Sequence, residues 1–353
     1  MKYLKVGVLS LFGLGLGTYS SAQEWKEPLP SFTPNTWQWI EVPESSCRDG
    51  SNAGFFVNYS NESDNVMIFL EGGGACFNSQ TCSLSPSRVS RTPPGAQGVF
   101  DRSDSSNPVA NWNIVFVPYC TGDVYAGSND NGYVSSRIQN QKFVGFRNMT
   151  RFLERIAPTF SKADQVLLTG ESAGGFGAVW NYDQTQEIFG DVPVHMIDDS
   201  GIVFSDDYLA PCLQNRWRQL WGLNDTLPKD CSDCQSSNGG GLAQLPVFLE
   251  DKYPDRDFGY VSSLSDSVIR LFFGYGRNNC RVIFPSTPAS TFRAGMFEMR
   301  DDILSNQSVF YLTEGTDHTS LSGGSFYSKR AGGQSLNHWV ADFLNRDAVS
   351  KGP

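Results

Sequence analysis

Ser172 stands in Gly170-Glu171-Ser172-Ala173-Gly174, directly after the apolar run 166–169 and directly before a helical stretch. In that setting G-x-S-x-G makes a nucleophile elbow: the serine rides a sharp strand-to-helix turn, and small residues two positions to either side let the backbone pass closely. The helix N-terminus behind it offers free N–H groups and a dipole that favour a developing oxyanion. The chemistry implied is acyl transfer through a covalent intermediate. Upstream, Gly72-Gly73-Gly74 follows the apolar run 66–70. One or two backbone N–H groups of this run, unobstructed by side chains, are expected to join that of Ala173 as an oxyanion hole. The glycine run lacks the Gly-Lys-Ser/Thr ending of a phosphate-binding loop, so nucleotide binding is not expected.

A serine nucleophile needs a base, and the chain has three histidines. His318 lies in a loop just after the strand-like run 309–312, where the base of a Ser, acid, His chain order belongs. His338, in the amphipathic stretch 336–344, is the alternative, and His195, inside the strand-like run 192–197, reads as a packed strand histidine. The acid should follow a late strand between serine and histidine. Asp266 does, after the run 258–262; Asp198 and Asp199, after the strand that follows the serine, are its rivals. Asp317 adjoins His318, but adjacent side chains seldom face one another. A helix cap is the competing structural role for each aspartate.

Such residues must be carried by a scaffold. Short apolar runs recur at 66–70, 114–117, 166–169, 192–197, 258–262 and 309–312, separated by amphipathic stretches at 143–156, 175–189, 267–273, 292–304 and 336–344. Continuous apolar runs alternating with helical periodicity predict buried, mainly parallel strands covered by helices on both faces. This is an α/β open sheet, whose chemistry gathers at the carboxyl ends of the strands.

The first 22 residues place two lysines before an apolar run that ends in small residues, the layout of a secretory signal peptide. Residues 23–353 are expected to form one catalytic domain without a membrane span, secreted or periplasmic. Eight cysteines in an exported chain read as disulfides. Cys231-x-x-Cys234 has no second pair or neighbouring histidine to complete a zinc site, and no metal or cofactor is expected. A formal net charge of −10, more negative once Lys2 and Lys5 leave with the leader, argues against nucleic acid or an anionic membrane as partner. An esterified, charge-masked substrate suits such a surface better than a free polyanion.

Several motifs in order resemble the pectin acetylesterase family, with its Notum-like carboxylesterases, within the α/β-hydrolase superfamily. They are Cys47-Arg48-Asp49-Gly50, 69–76 (FLEGGGAC), 116–123 (FVPYCTGD), 170–177 (GESAGGFG) and Asp199-Ser200-Gly201. The resemblance runs from about Trp37 to His318, thinning after Ser200. It implies an α/β-hydrolase fold with Ser172 as nucleophile, Asp266 as acid, His318 as base, and Gly73, Gly74 and Ala173 as oxyanion donors. It also implies disulfides Cys47 with Cys120 and Cys76 with Cys82, leaving Cys212, Cys231, Cys234 and Cys280 unassigned. Ala75, Glu171 and Asp199 are candidate pocket residues. Family members usually carry an aromatic residue where this chain has Ala75, and its absence opens the acyl side of the pocket. The expected substrate is an O-acetylated, pectin-like polysaccharide; the alternatives are a broader carboxylesterase, lipid deacylase or polyester hydrolase, and a non-catalytic glycan-binding protein.

Overall fold

The computed structural model describes residues 27–305 and 307–353, so the expected leader lies outside the described residues. In chain order the strands are β1 (Trp37–Ser46), β2 (Asn52–Asn58), β3 (Val66–Leu70), β4 (Asn113–Val117), β5 (Asn129–Gly132) and β6 (Gln141–Phe143). They continue as β7 (Val166–Glu171), β8 (Val194–Asp199), β9 (Phe258–Ser263), β10 (Ser308–Thr313), β11 (Arg330–Ala331) and β12 (Gln334–Ser335). The helices are α1 (Ser79–Leu84), α2 (Gly145–Thr159), α3 (Ala173–Phe189), α4 (Pro211–Trp221), α5 (Gln244–Lys252), α6 (Ser267–Arg277), α7 (Ala289–Glu298), α8 (Ser325–Ser328) and α9 (Leu336–Leu344).

Eight strands form one sheet in the order β1-β2-β4-β3-β7-β8-β9-β10. The pairs from β4 through β10 are parallel, and β1 and β2 add an antiparallel edge. All six apolar runs picked out in the sequence are strands of the parallel part. Their composition follows from burial on both faces: Val66, Ile68 and Leu70 of β3 pack into one cluster with α2 and α3, while Met67 and Phe69 pack into another with Trp339, Val340 and Phe343 of α9.

The edge strands escaped the apolar-run reading because β1 is half-exposed, carries a proline and slips register between Glu41 and Ser46. The expected helix 292–304 is corrected: α7 ends at Glu298, and Met299–Ile303 continue as a wider π turn. Helices α4 and α5, absent from the sequence reading, lie between β8 and β9 as an insertion.

Four disulfides join Cys47 to Cys120, Cys76 to Cys82, Cys212 to Cys280 and Cys231 to Cys234. Cys212 opens α4 and Cys280 follows α6, so the third bond ties two elements far apart in sequence. Among the described residues no helix is long and apolar enough to cross a membrane.

Candidate active site

Strand β7 ends at Glu171 and α3 begins at Ala173, so the whole turn between them is Ser172. Its φ of 56° is a conformation that costs a non-glycine residue energy and marks a site held by its surroundings. What holds it is close packing. A β-carbon on Gly174 would collide with the carbonyl oxygen of Leu70, and one on Gly170 with the carbonyl of Gly174. The Ser172 N–H donates to the carbonyl of Asp199 on the neighbouring strand at 2.7 Å.

Strand β3 lies beside β7 in register, with Leu70 opposite Gly170, which brings the glycine loop against the elbow. Gly72 packs so closely that a β-carbon would lie 3.2 Å from Cβ of Ser172. Gly74 takes φ of 77°, which frees the loop to turn past the serine. Among the described residues, the N–H groups of Gly73, Gly74 and Ala173 have no acceptor in the protein. The loop is braced from behind: Arg48 donates to the carbonyls of Ser85 (2.7 Å) and Cys82 (3.2 Å), and the Tyr119 N–H donates to Glu71 Oε2 at 2.9 Å.

The third and fourth contributions come from β9 and β10, whose carboxyl ends pair Ser263 with Thr313. Beyond them Asp266 Oδ2 lies 2.7 Å from His318 Nδ1, the aspartate fully buried and the imidazole 18 % exposed. The same carboxylate caps α6: Oδ1 accepts the N–H groups of Val268 (2.9 Å) and Ile269 (3.0 Å). Thus the competing cap role and the histidine contact belong to one side chain, on separate oxygens. No hydrogen bond joins Ser172 to His318 among the described residues.

The other candidates are placed elsewhere. His195 sits on β8 with Nδ1 2.9 Å from Asp257, among packed side chains away from the elbow. His338 is exposed on α9, where its Nδ1 lies 3.1 Å from Ser335 Oγ. Asp317 is 72 % exposed and reaches Lys329 rather than His318. Asp198 and Asp199 are both buried and neither bonds a histidine; burial, with Asp199 beside it, pushes the Asp198 carboxyl well above the usual range.

The candidate pocket residues divide. Ala75 lines the cleft described below, but Asp199 is corrected: it is fully buried and its Oδ2 accepts the N–H groups of Ser320 (2.6 Å) and Leu321 (2.8 Å), leaving nothing for a substrate. Glu171, next to Ser172 and partly exposed, lies outside that cleft and turns its carboxylate to Ser322 Oγ. Burial raises its carboxyl to about 7, against the pull of the Ser322 hydroxyl.

From Ser172 a narrow apolar cleft runs into the protein. Gly74, Ala75 and Ala173 form its near end. Its walls are Phe176 and Trp180 of α3, Trp217 and Trp221 of α4, and Ile269, Phe272 and Phe273 of α6. The Cys212–Cys280 disulfide therefore fastens two of the three walls together. Trp217 and Trp221 stack at 5.6 Å with planes 6° apart, and the Trp221 indole donates to the Cys76 carbonyl at 3.0 Å, fixing α4 to the glycine loop. The sequence reading missed this wall, although two tryptophans spaced i, i+4 on a helix were the available signal.

Comparison with known proteins adds a lineage to this geometry. The family description Pectinacetylesterase matches residues 38–246. Palmitoleoyl-protein carboxylesterase notum2 of Xenopus laevis is 28 % identical over 213 residues, covering 53 % of this chain and 42 % of that protein. Palmitoleoyl-protein carboxylesterase NOTUM of Homo sapiens is 33 % identical over 153 residues, 40 % of this chain and 30 % of that protein. The chain thus spans less than half the length of these curated relatives. A solved structure of the Wnt deacylase Notum from Drosophila superposes with a TM-score of 0.69 over 90 % of this chain and 96 % of that one, at 19 % identity, a likeness of fold.

Proposed function

The chain belongs to the pectinacetylesterase family, and from that premise we propose that it is an exported carboxylic ester hydrolase that uses Ser172, His318 and Asp266 on apolar acyl groups larger than acetyl. Residues 23–353 would be the single catalytic domain, and four disulfides accord with export. The relatives' printed names, carboxylesterases, support the reaction class.

In this reading His318 Nε2 takes the Ser172 hydroxyl proton as Oγ attacks the ester carbonyl, while Asp266 Oδ2 holds the Nδ1–H and stabilises the imidazolium. The tetrahedral oxyanion takes hydrogen bonds from the N–H groups of Gly73, Gly74 and Ala173, which have no other acceptor to leave. His318 then protonates the departing alcohol, and a water activated by the same imidazole releases the acid from Ser172. The acyl chain of the intermediate lies in the apolar cleft and the alcohol leaves on the His318 side.

One observation carries the acyl preference: the cleft starts at the nucleophile and is walled by aromatic and aliphatic side chains, with Ala75 at its near end. Each further methylene buried there contributes about 0.8 kcal/mol, roughly a fourfold gain in kcat/KM. The second reading, removal of acetyl from a pectin-like polysaccharide, is favoured by the family description alone. A series of p-nitrophenyl esters from acetate to octanoate, run beside acetate release from acetylated pectin and xylan, separates the two. The proposal expects rates that climb with chain length and little acetate from either glycan. A maximum at acetate with rapid glycan deacetylation would transfer the conclusion to the second reading, and glycan binding without hydrolysis of any ester would remove both.

A further inference from the structure

The nucleophile and the base sit on different loops, and one buried residue joins them, its main-chain carbonyl bonded to the first and its carboxylate to the second. We propose that Asp199 is a positioning residue that holds the histidine loop in register with the nucleophile elbow; this rests on the serine-hydrolase reading above. The Asp199 carbonyl accepts the Ser172 N–H at 2.7 Å. Its carboxylate Oδ2 accepts two successive N–H groups of the loop just after His318, those of Ser320 at 2.6 Å and Leu321 at 2.8 Å. Its Oδ1 accepts the Ser200 hydroxyl at 3.1 Å, and the Ser200 Oγ in turn accepts the Thr319 N–H at 3.3 Å. Three consecutive N–H groups, 319 to 321, are therefore held by the Asp199-Ser200 pair.

The pair also reaches the third segment. The Ser200 N–H donates to the Val261 carbonyl of β9 at 2.8 Å, and β9 leads into the loop that carries Asp266. Both Ser200 (φ 66°) and Thr319 (φ 61°) adopt left-handed backbone, so the two loops meet in conformations that relax unless the bonds between them hold. A buried carboxylate receiving two backbone N–H groups makes charge-assisted bonds in a dry setting, where they resist displacement by water. Glu171 adds only a single, partly exposed bond to Ser322 Oγ, a weaker brace on the same loop.

A loop displaced by about 1 Å can cost roughly 10²-fold in rate with substrate binding untouched. The test compares Asp199→Ala, Asp199→Asn and Ser172→Ala on the best p-nitrophenyl ester, with thermal unfolding of each. Asp199→Ala is expected to lose about 10² in kcat while KM stays within about twofold. Asp199→Asn keeps an oxygen where Oδ2 lies and turns an amide donor to Ser200 Oγ, so it should recover to within about tenfold of wild type. If Asp199→Ala does not fold, Ser200→Ala carries the test, with kcat reduced about threefold to tenfold at constant KM. Wild-type kcat in the folded Asp199 variant, or in Ser200→Ala where that serves instead, overturns the proposal, as does a loss expressed in KM alone. An inactive Ser172→Ala beside an unimpaired Asp199→Ala removes this inference only, whereas an active Ser172→Ala removes the reading beneath it.

Discussion

Asp266 divides two tasks between its oxygens, and one substitution separates them. Oδ1 caps α6 through the N–H groups of Val268 and Ile269, while Oδ2 meets His318 Nδ1 at 2.7 Å. Asparagine caps helices about as well as aspartate, so Asp266→Asn retains the cap if its amide oxygen replaces Oδ1. Its NH2 group then occupies the place of Oδ2 and must donate, which forces His318 to present a bare Nδ1 and to carry its proton on Nε2. An imidazole in that tautomer has no lone pair for the Ser172 proton. A loss of about 10⁴ in kcat follows, about 5.4 kcal/mol of transition-state stabilisation. Stability should barely move. In Asp266→Ala the cap goes as well, at about 1 kcal/mol, which for a chain of this size lowers the melting temperature on the order of 1–2 °C. The assay is steady-state hydrolysis of a p-nitrophenyl ester beside calorimetric unfolding of the three proteins. Asp266→Asn within tenfold of wild type, or as unstable as Asp266→Ala, would refute the division of labour.

Other outcomes follow from neighbouring features. Ala75→Phe puts a ring at the near end of the cleft, so the chain-length profile of ester hydrolysis should shift toward acetate while acetate itself is hydrolysed within a fewfold of wild type. Glu171 keeps its proton up to about 7 in the folded protein against an ordinary 4.5, so its contribution to stability is full below about 4.5 and is lost as pH rises through about 7. Glu171→Gln has no such loss; urea unfolding should show it gaining on the order of 1–2 kcal/mol relative to wild type between pH 5 and pH 8, after allowance for partial exposure. Replacing Cys212 and Cys280 by serine frees a bridge spanning 68 positions, at a cost of about 2–4 kcal/mol, and should depress hydrolysis of long-chain esters more than of acetate, both read from melting curves and the ester series.

The parallel sheet was legible because strands buried on both faces have no polar alternation to hide them, as β3 shows in Val66–Leu70. Its antiparallel edge was not, since β1 is half-exposed and bulged. The positions of Ser172, the glycine loop, Asp266 and His318 could be read because each follows directly on a strand, and order along the chain then ranks them. Two parts of the site carry no such local mark. Trp217 and Trp221 reach the cleft from an insertion whose placement depends on a disulfide to Cys280 and on an indole bond to Cys76, contacts between distant segments. Asp199 looks from sequence like a rival acid or a pocket residue. Its actual partners, the N–H groups of Ser320 and Leu321, lie 121 and 122 positions away. Side-chain type predicts that a buried carboxylate will find donors, but only the fold says which.

The central claim is that Ser172 is the nucleophile, activated by His318. Its most direct measurement is covalent capture: a fluorophosphonate ester is mixed with the protein and the labelled peptide is located by mass spectrometry, alongside hydrolysis rates. The account predicts one adduct, on Ser172, forming in step with loss of esterase activity, slowed by about 10³ or more in His318→Ala and absent from Ser172→Ala. Ester hydrolysis that continues at the wild-type rate in Ser172→Ala, or inactivation that labels a different residue, would contradict it.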